Sequence, residues 1–443
     1  MQFILLFIAI ASFFMFIGFS IISFIEKENL AFKRFLLYAI TVPLPFLGIA
    51  FLNISIVSII TLILLAAVIL IIYIPDVTSF VKKSRSGDIS FRIDERDIMF
   101  SRARLKSNSQ NYHDYYQSNP EKKDIDDTIR RNPGLLSKTA KYYSPYFSEA
   151  AEANFSVTQH LHGITKPEIK PDQQELDPKD TTRFVINWLL KNGAVDAGVT
   201  RLQKYHLYSH RGYGEKYGSN IINNHTNVIV FLLQMDKEMI AHAPKTPVVL
   251  ESSQQYLNSA ILAVSLAKFI ANLGYSATAH IDGKYDIIAP LVARDCGLGE
   301  IGRMGLLISG KFGPRVRIAA VTTDLPLHIN SVLYDASIEK FCKICKKCAK
   351  LCPSQAIPYD DPSLINGSLR WQIHQEKCYG YWTQIGTDCA RCIQVCPFSH
   401  NDNLFHNTIR FGIRHFPVFR RIALLMDDMI YGNRKKKREM TTP

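Results

Sequence analysis

The sequence predicts a chain in three parts: membrane helices at the N-terminus, an α/β body, and a C-terminal segment organised by cysteines. Three observations carry this reading. Residues 2–25 and 35–75 are apolar and free of charge. Between 180 and 335, helical and strand-like patterns alternate, which is the signature of an α/β domain. Eight of the nine cysteines fall in two runs near the C-terminus, and each run ends in Cys-Pro.

At 443 residues and 47% hydrophobic composition, the chain has material for two or three folded units. Residues 2–25 are long enough for one bilayer crossing, which takes about 20 helical residues. A signal peptide is the competing reading, but the stretch has no basic leading region, no small-residue cleavage site and no twin-arginine motif. The 41 residues from Phe35 to Pro75 are too many for one crossing. Pro43, Pro45, Gly48 and Asn53 offer a break, so spans are expected near 35–52 and 54–74, making residues 1–80 an anchor of three transmembrane helices. Lys27, Lys33 and Arg34 follow the first span, the second loop is uncharged, and Lys82, Lys83 and Arg85 follow the third. The positive-inside rule then places the body on the cytoplasmic side of a multi-pass membrane protein. The net charge of +13 has one local source, Arg434 to Arg438, which reads either as a contact for anionic lipid or as a solvated tail. Nothing else supplies a groove or a base-stacking surface, so nucleic acid is not an expected partner.

Residues 81–179 are expected to wrap the body and link into it. Residues 81–150 are polar, with extended and turn signals, and 154–180 hold three prolines with little periodicity. The body, 180–335, opens with a helix capped by Asp180, Thr181 or Thr182, running through about Leu190 and stopped near Gly193. A buried strand, Asn227–Gln234, follows. Next come a long helix from Ser253 to Leu273 ended by Gly274, then strands over Tyr275–His280 and Arg315–Thr323.

The first cysteine run, Cys342, Cys345, Cys348 and Cys352 with Pro353, reads C-x2-C-x2-C-x3-C-P. The second, Cys378, Cys389, Cys392 and Cys396 with Pro397, reads C-x10-C-x2-C-x3-C-P. The first spacing is that of bacterial two-cluster ferredoxins, in which the fourth cysteine ligates the other cluster. Crossing the fourth ligands gives one site from Cys342, Cys345, Cys348 and Cys396, and another from Cys378, Cys389, Cys392 and Cys352. Disulfides or zinc sites are the alternatives, and two Cys-Pro endings on such runs weigh against both. Residues 336–400 are therefore expected to carry two [4Fe-4S] clusters and to move single electrons, with 401–443 a C-terminal segment ending in the basic tail.

Between the last two predicted strands lies Cys296-Gly-Leu-Gly-Glu-Ile-Gly-Arg303, containing G-x-G-x-x-G from Gly297 to Gly302. It does not open the first strand of a βαβ unit and has no evident acidic ribose partner, so a dinucleotide site is the weaker reading. Glycines so spaced let backbone approach a large cofactor closely. Cys296 reads as a small buried residue, because both cluster sites are already full.

In this order of segments the sequence resembles the reductive dehalogenases, corrinoid and iron–sulfur enzymes that remove halogen from organohalides. The resemblance covers about 90–435. It runs through Asp94-Glu-Arg-Asp-Ile-Met-Phe-Ser-Arg102, Pro120-Glu-Lys-Lys123, Pro133-Gly-Leu-Leu136, Leu273-Gly-Tyr-Ser-Ala277 and Gly297–Arg303. It continues through Gly313-Pro-Arg-Val-Arg317, Thr323-Asp-Leu-Pro-Leu327, both cysteine runs and Met426–Gly432. It implies a nitroreductase-like α/β (α+β) core binding cobalamin base-off, in keeping with the lack of a D-H-x-x-G motif, with Gly297, Gly299, Gly302 and Arg303 near the corrinoid. It further implies two [4Fe-4S] clusters relaying electrons to cobalt and a tyrosine that donates a proton beside a basic residue. Tyr256 is the positional match for the tyrosine. Arg317 or Arg315 is the match for its partner, both placed on one strand face by alternation, with Arg303 a third possibility. A guanidinium stabilises phenolate and lowers a pKa that is ordinarily about 10.

Exported members of that family carry a twin-arginine signal, which is absent here, and this chain has spans of its own. The electron donor is left open between a quinol, a ferredoxin and a flavoprotein, and the expected partners are membrane lipid and a small organohalide. Two rival functions stand beside this one. Epoxyqueuosine reductase, a related cobalamin and iron–sulfur enzyme acting on tRNA, shares the glycine stretch and the cysteine runs; its Asp-Ser-Ala-Pro-type segment is missing here. A non-catalytic membrane electron-transfer subunit would hold two clusters and no cobalamin.

Overall fold

The structure, a computed structural model, describes residues 2–51, 55–76, 80–81, 91–329, 334–365 and 368–432. The chain forms two compact units. One joins the N-terminal 79 residues to the C-terminal helices, and the other is the body from Phe80 to Asn401.

In the first unit, segments rich in Ile, Leu and Phe, broken in α2 by Lys33 and Arg34, form α1 (Gln2–Ile25), α2 (Asn29–Thr41), α3 (Pro43–Phe51) and α4 (Ser55–Ile72). Pro43 does not break the second apolar segment. Val42 keeps helical dihedrals, its N–H reaches the Tyr38 carbonyl, and Pro43 takes a first-turn position where a missing N–H costs nothing. The helix thus starts at Asn29, earlier than the expected 35. Among the described residues, two helices, Gln2–Ile25 and Asn29–Phe51, are long and apolar enough to cross a membrane, not the three expected, and α4 is a shorter apolar helix. Asn53, Lys82, Lys83, Arg85 and the basic run Arg434–Arg438 lie outside the described residues.

The body begins where the sequence showed only polar wrapping, and it is helical. It contains α5 (Gln110–Ser118), α6 (Pro120–Arg130) and α7 (Pro145–His160), the last taking the start of the supposed linker. The rest of that linker is packed, not free. Lys170 N donates to Ala271 O (2.9 Å) and Gln174 N to Leu273 O (3.0 Å). Helix α8 (Pro178–Lys191) is capped by Asp177, whose carboxylate accepts from the N–H groups of Lys179 and Asp180. It begins two residues before the predicted cap because Pro178 initiates it.

Four antiparallel strands, β1 (Asp196–Arg201), β2 (Asn227–Gln234), β3 (Ala277–His280) and β4 (Val316–Thr323), form one sheet in the order β1-β2-β4-β3. The long helix α9 (Pro247–Asn272) packs on one face together with α8. There Ile229, Phe231, Ala319 and Val321 meet Ala263, Leu266 and Ile270. The opposite face, with Val228, Val230 and Ala320, is covered by Val292 and Ala293 of the short helix 289–295. Burial on both faces explains why β2 reads as a continuous apolar run. Gly274 closes α9 at φ 86°, where an added Cβ would meet Gln173 at 2.5 Å.

The cysteine segment contributes α10 (Ser337–Cys345) and α11 (Gln375–Ile385), with short turns at 347–350 and 391–394. Residues 94–142 buttress α11. Fully buried Arg102 pairs with Asp126 of α6 (3.5 Å) and with Glu376 of α11, while Gly134 N and Leu136 N donate to Thr383 O and Gly386 O. The C-terminal helices α12 (Leu404–His415) and α13 (Pro417–Tyr431) pack in the first unit. There Phe405 lies 4.1 Å from Phe19, and Arg34 donates to Met429 O at 2.6 Å.

Candidate iron–sulfur and catalytic site

The structure brings together the same cysteines that crossing the fourth positions groups in the sequence. Cys342, Cys345, Cys348 and Cys396 line one cavity beside Phe341 and Phe398. Cys352 comes instead beside Cys378, Cys389 and Cys392, as their mutual electrostatic influence shows. Cys348 also acts on Cys392, so the two sets adjoin. Residues in left-handed conformation make the sharp turns this requires: Lys346 (φ 52°) between α10 and the turn at 347–350, and Cys389 (φ 57°) with Ala390 (φ 46°) before 391–394. Among the described residues, no three His, Cys, Asp or Glu side chains converge closely enough for a single metal ion. Thiols spread round a space suit a polynuclear cluster, not a zinc tetrahedron. Burial pushes Cys342 up to about 11, and Cys348, Cys378 and Cys389 up to about 12; bound iron reverses that bias by stabilising thiolate. Backbone N–H groups of Arg303, Lys347 and Arg391 already favour the thiolates of Cys342, Cys345 and Cys389. Cys296 is buried and outside both sets.

The structure separates the candidate arginines. Arg317 lies in β4 on the face shared by Ala319 and Val321, toward α9. Its guanidinium stands 4.8 Å from the ring centre of Tyr256, which sits well inside α9 and not at its start. Arg317 Nη2 donates to Ser252 Oγ (2.6 Å), one helical turn before Tyr256, and to Asp388 Oδ2 (3.2 Å). Ser252 Oγ also donates to Asp388. Asp388 is the residue immediately before the ligand Cys389, so the tyrosine–arginine pair is tied to the second cysteine set. Arg315 precedes the strand and turns elsewhere. It is fully buried, donating to Met235 O (2.6 Å), Ser399 O (2.7 Å) and His400 O (3.4 Å). The shared strand face expected for both arginines is therefore not formed. Arg303 grips the first cysteine run, donating to Cys342 O (3.1 Å), Pro358 O (2.9 Å) and Asp360 O (2.6 Å) while stacking on Trp371.

Tyr256, Asp282, Tyr285 and Arg317 keep accessible surface although protein surrounds them deeply, so they face an interior hollow. Tyr285 donates to Asp282 Oδ1 at 3.0 Å. Burial raises the Tyr256 phenol above its ordinary value; Arg317 opposes this, and Asp282 and Asp388 add to it. The net direction is opposite to the lowering expected from a guanidinium alone, because desolvation outweighs the neighbouring charge. Sequence reasoning missed Ser252, Asp282, Tyr285 and Asp388. Only Asp388, beside a cluster cysteine, and Ser252, one turn from Tyr256, carried any sequence signal.

The glycine stretch packs against its own chain. At Gly299 an added Cβ would strike the Ile308 carbonyl, and at Gly302 the Ile308 side chain, both in the hairpin that pairs Glu300–Ile301 with Leu307–Ile308. Gly297 takes φ 80° just after the helix 289–295. Close packing of this hairpin accounts for Gly299 and Gly302 without a ligand.

Residues 341–400 match the 4Fe-4S dicluster domain family, and all eight cysteines of the two runs lie within them. The tetrachloroethene reductive dehalogenase of Sulfurospirillum multivorans is 34% identical over 228 residues, covering 50% of this chain and 45% of that one. A solved reductive dehalogenase, described for B12-dependent dehalogenation, matches with a TM-score of 0.60 and 25% identity, covering 70% of this chain and 46% of its own. The epoxyqueuosine reductase of Lactococcus garvieae (strain Lg2) is more distant, 24% identical over 157 residues, or 32% of this chain and 40% of that one. The chain is thus a relative of the reductive dehalogenases, and it spans about half the length of the curated relatives it matches.

Proposed function

We propose that this chain is a membrane-anchored reductive dehalogenase acting on a small organohalide, with two [4Fe-4S] clusters and cobalamin. The reaction is R–X + 2e⁻ + H⁺ → R–H + X⁻. One observation carries the proposal: a tyrosine–arginine pair, facing an interior hollow, is hydrogen-bonded through Asp388 to the edge of the second cluster site. A corrinoid, when bound, supplies the low-valent cobalt that delivers electrons to the halogenated carbon. The residues fit a large bound group. The hollow is lined by aromatic and polar side chains, and Arg317 Nε and Asp388 Oδ1 are buried without a hydrogen-bond partner. The close-packed glycine stretch supports the corrinoid reading less than this hollow does.

Each residue then has a task. Tyr256, held protonated by burial, keeps a proton at its hydroxyl for the developing carbanion. Arg317 steadies the phenolate left behind, and Ser252 and Asp388 fix the guanidinium. Base-off binding of the corrinoid and a quinol, ferredoxin or flavoprotein donor are parts of the same reading. So are three membrane crossings with the body on the cytoplasmic side. That topology is supported by α12 and α13 meeting both the α1–α2 turn and the end of α4: Asn403 Nδ2 donates to Glu26 (2.5 Å) and Arg420 pairs with Asp76 (2.7 Å).

The test is reconstitution with corrinoid, iron and sulfide, followed by metal analysis and halide release across chlorinated and brominated substrates. Stoichiometric cobalt with halide release is the expected result. Two clusters without corrinoid binding would favour the electron-transfer subunit instead.

A further inference from the structure

We propose that the α12–α13 hairpin is a second membrane-contacting element, lying in the headgroup region of an anionic bilayer on the side where α4 ends. This rests on the reading of α1–α4 as an anchor, and goes beyond it by adding a surface far along the chain.

The hairpin is apolar on two sides. Its inner side is covered: Phe405, Ile430 and Tyr431 cluster with Ala31 and Phe35, and Phe19, Ile409 and Met426 pack around them. Its outer side has no such cover. Leu404 (85% exposed) and Phe411 (56%) mark one stripe on α12, and Val418 (37%), Leu425 (59%) and Met429 (48%) mark another on α13. The spacings of seven and four residues keep each stripe on one helix face. A helix apolar on both sides needs either protein or lipid against each of them.

Three observations select lipid. The bare stripes continue a unit whose helices already expose Phe3, Phe7, Phe14, Ile63 and Leu70, so one solvent can meet them all. Depth is fixed by contacts at the ends of the apolar helices. Tyr73 lies 4.9 Å from Phe416, the Asp76 N–H donates to His415 O at 2.6 Å, and Glu26 meets His406 at 3.4 Å. The hairpin therefore sits at the level where chain leaves the apolar zone, which is where interfacial helices bury their apolar side by about 5–10 Å. Charge also agrees: Arg414 of α12 and Arg421 of α13 are exposed, where a guanidinium can meet an anionic headgroup, while Arg410 and Arg420 are buried, Arg420 against Asp76.

The experiment uses full-length protein in vesicles containing phosphatidylglycerol, with lipids brominated on the acyl chain either close to the headgroup or near the chain end. Tryptophan is introduced separately as Phe411→Trp, Leu425→Trp and, in α1, Phe14→Trp, and emission is compared with the parent, whose three tryptophans all lie in the body. Intact cluster EPR signals certify folding. The proposal expects Phe411→Trp and Leu425→Trp to lose most of their added emission to the shallow bromines, as a lipid-facing Phe14→Trp also loses emission to bromines at its own depth. Quenching at Phe14→Trp with unquenched hairpin probes would overturn the proposal and leave the anchor standing, as expected if a second copy of the chain covered the hairpin. Unquenched probes at all three positions would remove the anchor and the hairpin together.

Discussion

Tyr256→Phe is the sharpest perturbation of the proposed chemistry, because the structure gives the hydroxyl no stabilising job. Among the described residues it makes no hydrogen bond; the backbone carbonyl accepts from Ser259 Oγ (2.9 Å), and the ring lies 6.4 Å from that of Phe155 and 4.8 Å from the Arg317 guanidinium. All three survive in phenylalanine, and deleting a buried hydroxyl with no partner costs little or nothing. Thermal stability, cobalt content and both cluster signals should stay at the parent's values. Halide release should not. Loss of a general acid typically costs about 10²–10⁴-fold, equivalent to about 2.7–5.4 kcal/mol in the barrier at about 1.36 kcal/mol per decade. The assay is single-turnover halide release after chemical reduction, so that slow electron delivery cannot mask the step. A rate equal to the parent's, with cobalt reaching its lowest oxidation state, would remove Tyr256 from the mechanism.

Arg317→Leu should raise the phenol further, since the arginine is the neighbouring charge that holds it down. The proton donor is active below its pKa and lost above it, so the alkaline limb of the pH–rate profile should move to higher pH; an acid-ward shift would contradict the pairing. Arg315→Met should leave that profile in place but strip hydrogen bonds from three buried carbonyls, two of them just after Cys396. At about 1.5–3 kcal/mol for each bond to a charged group, a stability loss of several kcal/mol and a weakened first-cluster EPR signal are expected, and normal stability would refute the role. Cys348→Ala and Cys392→Ala should abolish different EPR signals, because the two thiols belong to different sets; loss of the same signal in both would undo the crossed ligation.

What the sequence made legible follows the strength of local signals. The β2 boundaries are those predicted, since a strand buried on both faces has no polar residues to blur them. The grouping of Cys396 with Cys342, Cys345 and Cys348 was legible because the spacing of the two cysteine runs is itself a local signal. The helices of 110–160 were not, because their buried positions are polar. Tyr112, Tyr115, Tyr116 and Asp126 face inward, and the hydroxyls donate to carboxylates, Tyr112 to Asp127 (2.8 Å), Tyr115 to Asp97 (2.9 Å) and Tyr116 to Asp126 (2.8 Å), so no apolar period announces them. Pro178 was read as part of a loop when it stands in the first turn of α8.

The arginines show where reading a sequence stops. Arg315 and Arg317 are two residues apart, have the same alternation and are equally consistent with a partner for Tyr256. Their fates are decided by the first residue of β4, Val316. Arg317 inherits the strand's alternation and is delivered to the α9 face, where Ser252 and Tyr256 stand one turn apart. Arg315 lies outside the ladder, so its backbone carbonyl accepts from Met235 N (2.9 Å) and its side chain leaves toward the carbonyls behind Cys396. One arginine is thus set beside Tyr256 and the other beside the turn that follows Cys396. A single residue's difference in where a strand begins has separated two positions that composition and spacing leave identical.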